Sequence, residues 1–510
     1  MWNLINRSSK LIKLFFGFRR LAKATDNQNQ QRARSALMQQ FADARGVTMK
    51  IGQLMAAAND ADDVFNPLIT SIEPLPLKQI LPVIEASLGC SWKKIFKSID
   101  ESTAAASLGQ VHHAVLKNGK EVAVKVQYPD IQGAIKSEMS LLGMMPKAGP
   151  VKQWRFDLDG YRHVLKENMD EELDYRHEAK MQAFFLQQVK LPLLIVPKVY
   201  EELSSERLLV QSWEEGVFLD QTANWSLPDR EQIAKTLLSL LLTSLFETRC
   251  LHADPHMGNS YFRHHPEQGV EMVLMDYGCT IDLTEQQSLS LLKLIITIRE
   301  KLSGQPLGYF AAMGFDAEKL SHIEPRLPML CLYLFAPFIE DKKFIVQQWQ
   351  PGKKITDLLA EERWWFRSAG PAKLIFIMRA FQGLVQQLEC LKVNLNWGEV
   401  LLDVLPDELL EKARAYQCPL VSTSESIDAL ASRLKVKVVK RGITKAEVDL
   451  PAEAVLDLEK FIPEEIQLKL DQSADIDLKN IIEKVRQSGL AVQPVFDYED
   501  DQQQYRVWLE

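Results

Sequence analysis

HADPHMGN, His252 to Asn259, brings two histidines, an aspartate, a proline and an asparagine onto one short segment. Two chemistries compete for it. His252 and His256 stand four apart and, with Asp254, could ligate Zn²⁺ if they shared a helix face. Pro255 lies between them, however, and proline interrupts a helix interior. With no third strong ligand nearby, the histidines read better as hydrogen-bonding braces. The second chemistry uses Asp254 and Asn259, whose D-x-x-x-x-N spacing puts a proton-accepting carboxylate and a metal-binding amide on one loop, as phosphoryl transfer from ATP requires.

That reaction needs further parts, and the chain supplies them in order. Lys125 ends VAVK on an expected strand and could grip phosphates; alone it would read as a surface lysine at a strand end. Upstream lies AAASLGQVH, Ala104 to His112, where a glycine-rich cover would be expected. Only Gly109 fits that pattern, because alanine methyls deny the open backbone that glycine allows. Downstream, Asp276-Tyr277-Gly278 follows a short apolar run, the position of a Mg²⁺-binding aspartate. Each motif is weak by itself. Their order and local contexts together point to the catalytic layout of protein kinases.

Several elements must position these groups. The apolar run Lys235–Glu247 predicts a buried helix before the loop, and Met272–Gly278 a short strand around the last aspartate. Asn118-Gly119 predicts a tight hairpin turn, followed by a strand over Glu121–Gln127 with Val122, Val124 and Val126 alternating. Helical patterns run from Ile131 to Gln188. LPLLIVPKVY and RLLVQSWEEG read as a strand pair, and Thr284 to Ala415 as mostly helical. Val421–Asp428 reads as a linker. Beyond it, LKVKVVKRG, AEVDL, LAVQPVFDY and YRVWLE read as strands around the helical DLKNIIEKVRQSG. Glu172, Asp174 and Glu178 in EELDYRHEA read from spacing as solvated helix positions, as do Lys50, Gly52 and Gln53 in KIGQ.

Composition bounds the rest. The 510 residues exceed one compact core. A net charge of −8 argues against a nucleic-acid binder. Six cysteines, none in a C-x-x-C pair, suit reduced thiols in the cytoplasm. No window approaches the ~18 apolar residues of a membrane span, and no signal peptide is expected. Residues 1–24 carry Arg7, Lys10, Lys13, Arg19, Arg20 and Lys23 without an acid, so this stretch could lie as a basic amphipathic helix on an anionic membrane or pack on its own protein.

KIGQ, AAASLGQVH, VAVKVQYP, EELDYRHEA, HADPHMGN and MDYG together resemble the UbiB/AarF family of atypical protein-kinase-like proteins. The resemblance implies an α+β, bilobal protein-kinase-like fold with an N-terminal helical KxGQ extension. The expected divisions are residues 1–100 for the basic helix and extension, 101–215 for the N-lobe, 216–420 for the helical C-lobe and 430–510 for a small acidic α+β domain. It implies that Lys50 and Gln53 reach the nucleotide pocket and that Ala104, Ala105, Ala106 and Ser107 form the cover. Lys125 would pair with Glu178, and Glu172 and Asp174 would meet the KxGQ segment. Asp254 would be the catalytic-loop aspartate, with Asn259 and Asp276 binding Mg²⁺. The implied activity is ATP binding and hydrolysis in isoprenoid-quinone or other membrane-lipid metabolism, with a phenolic or isoprenoid lipid as effector. A small-molecule phosphotransferase and a nucleotide-binding pseudokinase switch are the alternatives. HMGN departs from the family's usual HPGN. An acidic tail replaces the C-terminal membrane helices of bacterial UbiB proteins, so the expected location is cytoplasmic with peripheral contact at the inner membrane face. The tail is an expected docking site for a protein partner.

Overall fold

The computed structural model describes residues 74–101, 104–106, 108–133, 135–136, 154–418, 431–440, 443–460, 462, 477–488, 490–499 and 503–510. Expectations for the basic stretch 1–24, Lys50, Gln53, Ser107 and the 421–428 linker lie outside them. Two compact units are present. One contains the described residues up to 136, Asp157–Leu283 and Ala372–Asn394; the other contains 154–156, Thr284–Pro371 and the described residues from Leu395 onward.

The first unit is built on a five-stranded antiparallel sheet. Strands β1 (Phe96–Ile99), β3 (Gly109–Leu116), β4 (Glu121–Gln127) and β6 (Leu208–Ser212) follow one another across it, and the short β2 (Ala104–Ala105) pairs with β3. Gly119 takes the left-handed φ of +85° that the β3–β4 turn demands. Alternation on β4 buries Val122, Val124 and Val126 against Ile80 and Ile84 of helix α1 (Leu77–Leu88). Lys125 therefore faces the other way. Two helices cross in sequence next, α2 (Leu158–Glu172) and α3 (Tyr175–Gln188). The helical run expected over 131–188 is thus broken at Leu173-Asp174, where the Asp174 carboxylate caps α3 by accepting from the Arg176 N–H.

The expected strand pair after α3 does not form as such. β5 (Leu194–Ile195) runs parallel to β9 (Gly269–Leu274), whereas β6 joins β4, and the two segments meet at the isolated bridge Val199–Gln211. Alternation identifies strands but carries no information about partners, and the large sheet offered β6 a longer edge. β8 (Ser260–His265) completes a three-stranded sheet with β9, and β7 (Cys250–His252) pairs with β10 (Thr280–Asp282). Helix α4 (Leu227–Leu242) starts earlier than its apolar run suggested. Ser226 caps it, and Pro228 fits its first turn. It passes into a π-helical turn over Thr243–Glu247, directly before β7. Helix α5 (Leu374–Leu391) returns to this unit from far along the chain.

The chain is mostly helical between Thr284 and Ala415, as expected, and the second unit takes Thr284–Pro371 and Leu395–Ala415 of this span. Thr284 and Gln287 form a reciprocal capping box on Glu285–Arg299, and the fully buried Trp397 packs edge-on against Phe338. The tail forms the expected α+β arrangement. A four-stranded antiparallel sheet runs in the order β12 (Ile443–Pro451), β11 (Arg433–Lys440), β14 (Gln503–Leu509) and β13 (Gln493–Glu499), with helix α6 (Leu478–Gln487). No described helix is long and apolar enough to cross a membrane.

Candidate active site

Two short ladders fix the loop HADPHMGN. β7 pairs with β10 so that Thr280 faces His252, and the Ala253 N–H donates to the Cys279 carbonyl at 3.0 Å. The residues after β7 therefore lie alongside those before β10. On the other side, Ser260 opens β8 opposite Leu274, the last residue of β9. This register brings Asn259 next to Met275, whose N–H donates to the Asn259 carbonyl at 2.9 Å. Asp254, Asn259 and Asp276, scattered over 23 positions, are held at the ends of the same pair of ladders.

The histidines serve these ladders. His252 Nε2 lies 2.6 Å from the Asp276 carbonyl oxygen, and His256 Nδ1 accepts from the Gly258 N–H at 3.0 Å. Both expected braces are present. The Asn259 amide donates from Nδ2 to the Asp254 carbonyl at 3.1 Å, which leaves its Oδ1 as a lone-pair donor for a cation.

Lys125 is the meeting point. Its ammonium donates to Glu178 Oε1 at 2.6 Å and Oε2 at 2.9 Å, and to Asp276 Oδ2 at 3.0 Å. Three elements, β4, α3 and the segment after β9, contribute one charge each. Burial pulls the Lys125 ammonium down, but Asp276 and Glu178 outweigh it and hold it well above the usual lysine range. Burial pushes the Glu178 carboxyl up to about 7, with Lys125 opposing. Glu178 is therefore no solvated helix position. Glu172 is also buried, at the end of α2, and its Cγ lies 3.8 Å from where a Cβ on Gly278 would stand. The solvated reading is corrected for both, because α2 and α3 turn their acidic ends inward rather than running as one exposed helix. Asp174 instead engages Arg176, accepting from its main-chain N–H at 3.0 Å and from its guanidinium.

The alanine-rich segment lies on the same sheet. Ala104 and Ala105 pair with Val111 and Gln110, and the Ala106 N–H donates to the Gly109 carbonyl at 2.8 Å, closing a turn. Gly109 is required: a Cβ there would stand 2.3 Å from the Val126 carbonyl oxygen.

Helix α5 supplies what sequence reading missed. Arg379 forms an ion pair with Asp254 Oδ1, and Gln387 donates to the Pro255 carbonyl at 3.0 Å. Gly383 between them admits the proline ring, since a Cβ there would sit 2.0 Å from Pro255 Cγ. These three residues are spaced by four and so share one helix face. Only the R-x-x-x-G-x-x-x-Q spacing hints at this, and nothing local connects it to a loop 125 positions earlier.

Residues 67–303 match the ABC1 atypical kinase-like domain. The chain is 34% identical over 249 residues to the atypical kinase COQ8B, mitochondrial, of Danio rerio, covering 47% of this chain and 39% of that protein. It is 26% identical over 303 residues to the atypical kinase COQ8, mitochondrial, of Saccharomyces cerevisiae, covering 57% and 60%. With the AarF domain-containing kinase 1 of Drosophila melanogaster it shares 31% over 274 residues, covering 52% and 53%. The chain thus spans roughly 39% to 60% of the length of these curated relatives. The solved Rv3197–erythromycin complex from Mycobacterium tuberculosis aligns at 24% identity and a TM-score of 0.49, over 73% of this chain and 94% of that one.

Proposed function

Since the chain belongs to the UbiB/AarF family through its ABC1 atypical kinase-like domain, we propose that it binds Mg-ATP and cleaves the γ-phosphoryl bond in support of isoprenoid-quinone or other membrane-lipid metabolism. The observation that carries this reading is the grip of Glu178 and Asp276 on Lys125. A lysine fixed at both carboxylates is pre-positioned for phosphate oxygens, and its ammonium stays charged when buried. The donor set fits Mg²⁺: a carboxylate on Asp276 and the Asn259 Oδ1 are hard oxygens, and Mg²⁺ takes few protein ligands beside phosphate and water. When bound, the ion would neutralise phosphate charge.

The protein groups then divide the work. Lys125 holds the phosphate chain, and the Ala104–Ala106 segment covers it. Asp254 accepts a proton from the attacking hydroxyl or water, while Arg379 on its Oδ1 holds its orientation. The alternative of a pure nucleotide switch would use the same nucleotide-binding groups, and measured turnover separates the two. The basic stretch 1–24 supplies peripheral contact with an anionic membrane in this reading, and the 430–510 domain docks a protein partner.

The test is ATP hydrolysis with and without anionic liposomes carrying a quinone-precursor mimic. Wild type should hydrolyse ATP faster with them, and Asp254→Asn should lose about a hundred-fold or more in turnover while still binding nucleotide. Equal turnover in the two proteins would reject the assignment of Asp254.

A further inference from the structure

Tyr175 opens helix α3 one residue after its cap. Its side chain is buried, with Lys125 Nζ 5.2 Å from the ring centroid. Among the described residues its hydroxyl has no hydrogen-bond partner. The same hydroxyl lies 2.7 Å from the position a Cβ on Gly109 would take. It is therefore enclosed between the lysine that grips phosphate and the last residue of the cover turn.

An orphaned buried hydroxyl is a cost to folding, and phenylalanine would fill the same space without it. A group kept at such a cost, beside Lys125, suits a ligand that arrives later. A Cβ at position 109 would crowd the hydroxyl. Burial pushes the phenol well above its usual range, so it stays protonated and can only donate to an anion.

We propose that Tyr175 is a nucleotide-binding residue whose hydroxyl donates a hydrogen bond to a phosphate oxygen of the polyphosphate chain held by Lys125. This rests on the ATP reading and adds a donor to it. Selectivity follows: the hydroxyl contributes to nucleotides with a β-phosphate and nothing to the nucleoside.

The test is Tyr175→Phe on the full chain, read by equilibrium binding of Mg-ADP, competition by adenosine, and melting without nucleotide. The expected result is an unliganded variant that melts at or above wild type. Its dissociation constant for Mg-ADP should rise about ten-fold, the effect of one hydrogen bond to a charged acceptor, with adenosine competition unchanged. Wild-type affinity for Mg-ADP in the variant would overturn the inference and leave the ATP reading standing. So would a variant that loses Mg-ADP and adenosine equally, or one that melts below wild type. Failure of wild type to bind Mg-ADP at all would reject both together.

Discussion

The chain holds acids and bases at hydrogen-bonding distance in two very different settings. At the buried cluster the Lys125 and Glu178 side chains are 13% and 3% exposed. On the C-terminal sheet, Arg506 meets Asp497 at 3.1 Å with side chains 63% and 42% exposed. The distances are alike, and the energetics are not. Removing an ion from water costs several kcal/mol even after relaxation, and attraction to a partner often fails to recover it. An exposed pair costs little and contributes little. The sheet pair is expected to add little to its ladder. The buried group is maintained against its own desolvation, which is what a site built for a charged ligand looks like.

Breaking the buried group should give the largest effect. Lys125→Met leaves two acids facing an apolar side chain, and urea unfolding should show a loss of about 3–5 kcal/mol. Lys125→Met with Glu178→Met should recover more than half of that loss, yet neither variant should bind nucleotide. A double variant no more stable than the single one would mean that the pair contributes to stability in its own right.

Arg379→Met comes next, because it removes the guanidinium paired with the partly buried Asp254 carboxylate. A loss of about 3 kcal/mol is expected, with ATP turnover falling and Mg-ADP affinity unchanged. Unchanged turnover would show that α5 merely supports the loop.

Glu178 sharpens the contrast through pH. Its carboxyl stands at about 7 in the folded protein against 4.5 ordinarily. A raised value means that the folded state retains the proton longer than the unfolded chain. The associated stability is complete below the unfolded value and is lost as pH rises through the folded one. Glu178→Gln cannot titrate, so the stability of wild type relative to this variant should decrease between about pH 5 and pH 8. A constant difference would contradict the raised value. Arg506→Ala should do least, changing stability by no more than about 1 kcal/mol and leaving nucleotide binding untouched; a larger loss would erase the distinction between the two settings.

Much of this site could be read from sequence because its motifs are local. VAVK, HADPHMGN and MDYG each carry their chemistry within a few residues of a strand end, and the β7–β10 and β8–β9 ladders then only have to bring those ends together. The hairpin at Asn118-Gly119 was legible for the same reason, since its turn geometry is specified by two residues. What long-range packing decides was hidden. Spacing could not reveal that Glu172 and Glu178 are buried, because it says nothing about which helix face meets the sheet. Nor could it link Arg379 to Asp254, or show that β6 would choose β4 over β5.

In the proposed site Asp276 and Asn259 present oxygens to a Mg²⁺ ion on ATP gripped by Lys125. Thermal stabilisation by ATP, measured with Mg²⁺ and with excess EDTA on wild type and Asp276→Asn, tests it most directly. Wild type should show a Mg²⁺-dependent rise in melting temperature and the variant none. The same Mg²⁺-dependent rise in both proteins would contradict it.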